Sequence, residues 1–125
     1  MDIDLTGFSA VQQQALCDLL ILSEFADGHL PTMDEAHLQP VLTTLGGAEA
    51  SVRLREFDAS VARMRPAAQS VWKARSQAAA LAGAFTNRTQ QKQVYEAVQA
   101  VMTADRHVST WECTLLSELR MTFRL

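Results

Sequence analysis

Two short acidic stretches carry the residue types that could do chemistry. Ala26-Asp27-Gly28-His29-Leu30 is followed by Glu35 and by Asp34, which stands seven residues after Asp27. Ala104-Asp105-Arg106-His107-Val108 is followed by Glu112, again seven residues after the aspartate. In each stretch a carboxylate and an imidazole stand two positions apart, and His37 adds a third imidazole close by. Carboxylate oxygen and imidazole nitrogen together form a ligand set suited to a divalent metal ion. The expected metal-ligating set is therefore Asp27, His29, Asp34, Glu35, Asp105, His107 and Glu112, with a shared site if the two turns meet. Each residue also has a structural use. Asp27 and Asp105 can accept backbone N–H groups at a tight helix–helix turn. Asp34, Glu35 and Glu112 suit the start of a following helix, where the dipole and the capping geometry favour acids.

The Asp-Gly-x-aliphatic spacing with its downstream acid also matches the back half of a calcium-binding EF-hand loop. The two earlier ligand positions of such a loop fall on Ser23 and Phe25 in the first copy, and on Val101 and Thr103 in the second. Those residues cannot complete an oxygen cage for a hard cation, so an ordinary EF-hand is excluded.

The elements that must hold these turns are read from apolar spacing and punctuation. Ser9 with Gln12 forms a capping box that starts a first helix near Ala10, carrying Leu16, Leu19, Leu20, Ile21 and Leu22 and stopping at Asp27-Gly28. The breadth of that apolar surface predicts a central helix packed on more than one side. Thr32 with Glu35 reads as the next box, starting a second helix through Leu38, Val41, Leu42 and Leu45, with a kink expected at its internal Pro40. Ala50, Leu54, Phe57, Val61 and Met64 form the stripe of a third helix. Pro66 suits the first turn of a fourth, which carries Val71, Trp72, Ala78, Ala82 and Phe85. A fifth helix has Val94, Val98, Val101 and Met102, and a sixth, boxed by Ser109 and Glu112, has Trp111, Leu115, Leu116, Leu119 and Phe123. Trp72 and Trp111 are expected as core anchors. No strand pattern is left over. The expectation is an all-α single domain over residues 1–125, a bundle of about six helices whose first and last pairs are related by pseudo-symmetry.

At the level of whole motifs the chain resembles the TerB-like family, which takes in the tellurite-resistance TerB proteins and the N-terminal region of the membrane-anchored co-chaperone DjlA. The resemblance covers nearly the whole chain. It rests on an apolar helix ending in Ala26-Asp27-Gly28-His29-Leu30 with Asp34 downstream, and on the diverged copy Ala104-Asp105-Arg106-His107-Val108 with Glu112. Arg106 stands where the second copy commonly has glycine, and Asp34 where the first commonly has glutamate. The resemblance implies an all-helical fold, a place in stress responses including tellurite resistance, and acidic surface residues that bind metal ions. It also implies a protein partner, including a membrane-associated one.

Charge is divided along the chain. Residues 1–47 hold seven acids and no Lys or Arg, whereas residues 48–92 hold eight basic residues against three acids. Separated acidic and basic faces would suit docking to protein partners, which is the alternative to metal binding. Nucleic-acid binding is not expected, since no aromatic interleaving or overall basic balance accompanies the basic middle. Nor is enzymatic activity: there is no nucleophile elbow, P-loop, HExxH or paired Cys–His motif. Cys17 and Cys113 lack metal-site spacing and are expected as buried free thiols. The start Met1-Asp2-Ile3-Asp4 lacks the basic lead of a secretory signal, and the longest apolar run, Leu19–Ser23, falls far short of the ~20 residues of a membrane span. A soluble cytoplasmic domain is the expectation, with oligomeric state left open.

Overall fold

The computed structural model describes residues 4–103 and 109–125, and those residues form an all-helical bundle with no strand. Helix α1 spans Ala10–Ala26, α2 Gln39–Gly46, α3 Ala50–Met64, α4 Val71–Ala82, α5 Arg88–Thr103 and α6 Thr110–Phe123. Among the described helices none is long and apolar enough to cross a membrane.

The bundle is organised around α1. It packs against each of the other five helices, and every residue from Ala15 to Glu24 is buried. A helix enclosed on all sides needs apolar residues around its whole circumference, and the polar residues it does bury, Asp18, Ser23 and Glu24, have to find partners inside the bundle. Its start is the expected box: the Ser9 hydroxyl accepts from the Gln12 N–H at 3.2 Å, and the Gln12 side-chain oxygen accepts from the Ser9 N–H at 2.9 Å. Its end is set by Gly28, whose φ of 82° continues the chain in the left-handed region that side chains disfavour.

The second helix starts later than its capping residues suggest. Residues 29–38 are outside any helix, with turns at 33–34 and 36–38, and α2 begins at Gln39, which places Pro40 in its first turn. Had the helix begun at Thr32, the Pro40 ring would have met the carbonyl of Ala36. In the first turn it displaces no hydrogen bond, so the expected kink does not arise. Thr32 and Glu35 instead make a local turn, with the Glu35 N–H donating to the Thr32 carbonyl at 3.4 Å. At its other end α2 closes tightly on α3: a Cβ on Gly46 would stand 2.8 Å from the backbone nitrogen of Arg53.

Helix α3 is rotated from the expected stripe. Phe57, Ser60 and Met64 face inward, while Leu54 is 47% exposed. The rotation brings Ser60 and Arg63 onto Asp18 of α1. Ser60 Oγ donates to one carboxylate oxygen at 2.6 Å, and the Arg63 guanidinium takes both, at 2.9 and 3.1 Å. A buried carboxylate without such partners would cost several kcal/mol, so Asp18 dictates which face α3 presents.

Pro66 opens a single 3-10 turn, Ala67–Gln69, rather than α4 itself, which begins at Val71 with the Ser70 hydroxyl accepting from the Lys73 N–H. The inner face of α4 is alanine (Ala74, Ala78 and Ala82), so neighbouring helices approach closely. Trp72 points out of the bundle, 72% exposed, and is no core anchor. Trp111 and Leu116 are half-buried against the core, whose α6 contribution is Leu115, Leu119 and Phe123. Phe85 links Phe8 and Phe123 through ring contacts at centroid distances of 5.8 and 6.4 Å. Arg88 at the start of α5 donates to the carbonyls of Phe123 and Arg124, satisfying orphan acceptors at the end of α6.

Candidate metal centre

The last turn of α1 carries Glu24 inward, although the helix around it is apolar. Its side chain is 4% exposed. A buried carboxylate has to find donors, and they come from the turns that follow. Those turns fold residues 29–38 back along α1, so that His37 Nε2 meets Glu24 Oε1 directly and lies 3.2 Å from Glu35 Oε2. Ligand atoms of Glu24, Glu35 and His37 all lie within 4.8 Å of one another, the group among the described residues best arranged to hold a metal ion.

The two carboxyls differ in proton affinity. Burial acts to push Glu24 up, but hydrogen bonds from His37 and Glu35, with the charges of His37 and His29, outweigh it and leave the group below the ordinary glutamate value. Glu35 is pushed above that value, first by its own burial and then by its contact with Glu24. Of the pair, Glu24 therefore gives up its proton the more readily and Glu35 retains it to higher pH. A cation placed among the three side chains would compete with protons for the same oxygen and nitrogen atoms.

A bond length near 2.0–2.2 Å and tetrahedral geometry separate neighbouring ligand atoms by about 3.3–3.5 Å, against a spread of up to 4.8 Å among these side chains. One imidazole nitrogen with two carboxylates leaves open positions for water. The set is poor for calcium, which takes six to eight oxygens, and good for zinc and its neighbours.

Of the residues expected from sequence, Glu35 lies in this cluster. Asp27 and His29 pair with each other through Oδ2 and Nδ1, next to the cluster but not within it. Asp34 is exposed on the following turn. Glu112 is fully buried at the start of α6, where its Oε1 accepts from the Ser109 N–H at 2.8 Å and its own N–H donates to Ser109 Oγ at 3.2 Å. That is the expected capping box. Ser109 Oγ reaches the Ala26 carbonyl at 3.3 Å, so the start of α6 adjoins the end of α1. Asp105 and His107, with Arg106, lie outside the described residues. The expected set did not include Glu24 or His37; the available signal for Glu24 was an acid, like Asp18, at an inward position of a mostly apolar helix. The cysteines differ from expectation in one respect: Cys17 is buried, but Cys113 is exposed on α6.

No family model matches the chain, and comparison with curated proteins and with solved structures gives no match.

Proposed function

We propose that the chain is a non-enzymatic, TerB-like helical domain that binds a divalent transition metal ion through Glu24, Glu35 and His37, in a stress-response or tellurite-resistance type of system. The observation that carries this reading is the buried Glu24 carboxylate with the His37 imidazole and the Glu35 carboxyl gathered around it within 4.8 Å. The repeated acidic turns and the all-helical bundle support the family part of the proposal. Asp27 and His29 stand beside the site as a second carboxylate–imidazole pair, able to steer a cation toward it.

Calorimetric titration of the purified chain with zinc, nickel, manganese and calcium tests the proposal. Zinc or nickel binding at one site per chain, abolished by His37→Ala and by Glu24→Gln with helicity retained, is the expected outcome. Absence of binding by any of the four ions, or binding that both variants keep, would reject it.

A further inference from the structure

Trp72 is the bulkiest of the exposed apolar side chains, 72% exposed in the first turn of α4. It is held in place there. The Arg75 guanidinium carbon lies 5.8 Å from the indole centroid, and Arg75 is itself fixed by Glu118 of α6, Nε to Oε2 at 3.0 Å. A chain of two interactions thus keeps a large aromatic ring in water rather than folded against the bundle.

Beside the indole opens a groove of about 460 Å³, lined by Arg63, Pro66, Ala67, Lys73, Ser76 and Gln77 as well as Trp72. Its lining combines an apolar floor with two cations and two polar side chains, and contains no acid. Arg63 keeps 37% of its side chain exposed beyond its pair with Asp18. The surrounding segment, residues 48–92, holds eight basic residues against three acids. A fixed tryptophan flanked by Arg and Lys is the composition of an interface anchor, since such side chains dominate binding energy when a partner removes them from water.

We infer that this groove docks an acidic segment of a partner protein, with an apolar side chain of that segment laid on Trp72 and its carboxylates meeting Lys73 and Arg63. Charge complementarity selects the partner: a groove with cations and no acid attracts carboxylates and disfavours a basic segment. A single aromatic platform does not provide the successive stacking surfaces that single-stranded nucleic acid uses. The site is separate from the metal centre and does not depend on it.

The test uses the intact chain and a fluorescein-labelled peptide of about twelve residues, rich in Glu and Asp with one central phenylalanine, a length that spans a typical groove. Three probes accompany it: a serine replacing the phenylalanine, lysines replacing the acids, and a labelled oligothymidine. Expected are saturable, salt-weakened binding of the acidic phenylalanine peptide and amide shift changes confined to Trp72, Ser76, Gln77 and their neighbours. Trp72→Ala should weaken binding about tenfold or more, and Lys73→Glu by several-fold. Both residues are at the surface, so circular dichroism and thermal midpoint should stay close to the parent. No binding, equal binding of the lysine peptide, tighter binding of oligothymidine, an unaffected Trp72→Ala variant, or self-association of the chain that buries Trp72 would each overturn the inference.

Discussion

Gln12 and Gln90 bond to each other reciprocally across 78 residues of chain: Gln12 Nε2 donates to Gln90 Oε1 at 3.0 Å, and Gln90 Nε2 donates to Gln12 Oε1 at 3.3 Å. The same offset separates Asp27 from Asp105 in the acidic repeat, so the two glutamines hold equivalent places in the two copies. Each lies three residues after a capping side chain, Ser9 for α1 and Asn87 for α5. Each also reaches a backbone carbonyl before the other's helix, Gln12 to Ala84 and Gln90 to Gly7. The repeat therefore has a physical seam where the first turns of α1 and α5 meet. It extends less well to the following helices, because Pro40 delays α2 whereas α6 starts directly after Ser109.

Breaking this seam should show coupling. Gln90→Ala is expected to cost about 1–2 kcal/mol, by removing both part-buried bonds to Gln12 and the exposed one to the Gly7 carbonyl. Gln12→Ala should cost slightly more, since it also opens the Ser9 box. Urea denaturation of both single variants and the double should give a coupling energy of roughly 0.5–1.5 kcal/mol. Strict additivity would mean that the two amides act independently.

Gly46→Ala should destabilise although the residue is helical, where alanine is ordinarily the better helix former. The new Cβ would stand 2.8 Å from Arg53 nitrogen and 2.9 Å from its Cα. Backbone cannot yield as a side-chain tip can, so a loss of about 1–3 kcal/mol is expected in chemical denaturation. An unchanged or raised midpoint would show that α2 and α3 separate freely.

The Asp18 clasp should respond unequally to loss of its two main partners. Arg63→Met leaves the buried carboxylate with Ser60 alone and should cost about 3 kcal/mol or more. Ser60→Ala removes one hydrogen bond and should cost about 1–2 kcal/mol. Equal costs in urea unfolding would imply that Asp18 is not held as a charge by Arg63.

Much of this bundle is legible in its sequence because helix starts and inner faces are local signals. The Ser9–Gln12 and Ser109–Glu112 boxes mark two starts, and the spacing of Val94, Val98, Val101 and Met102 marks the inner face of α5. What escaped depends on partners distant in the chain. Leu54 was expected in the core because it extends an apolar stripe, but the demand of Asp18 for Ser60 and Arg63 turns α3 away from it. Trp72 was assigned inward on hydrophobicity alone, yet its inner-facing neighbours are alanines that leave no room for an indole. Of the expected ligand set only Glu35 lies in the cluster, and Glu24 and His37 stand outside that set because their pairing depends on how the intervening residues fold back on α1.

The two thiols should separate cleanly by reactivity. Cys17 is pushed up to about 11, chiefly by burial and also by the neighbouring Asp18 charge, against the opposing influence of Ser60 and Arg63. At neutral pH it should resist a disulfide reagent until the protein unfolds, whereas exposed Cys113 should react at once. One fast thiol per native chain, lost in Cys113→Ser and retained in Cys17→Ala, is the expected titration. Rapid modification of both native thiols would contradict the burial of α1.

The pH dependence of stability should change sign when metal is added. Without metal, Glu35 has a folded pKa above its ordinary value of 4.5, so the fold favours its protonated form. Its contribution is present below that ordinary value and is lost as pH rises through the raised one. Glu24 has a lowered folded pKa, so its contribution is present above the ordinary value and is lost only on acidification. Raising the pH above the ordinary glutamate value should therefore lower stability through Glu35, and Glu35→Gln should flatten that fall. Zinc inverts the relation, because a bound cation is favoured by deprotonated carboxyls and a neutral imidazole. The stabilisation by excess zinc, read from thermal midpoints, should increase over the same pH interval and shrink markedly in Glu35→Gln. A zinc-induced shift that stays constant with pH, or that Glu35→Gln leaves intact, would remove Glu35 from the site.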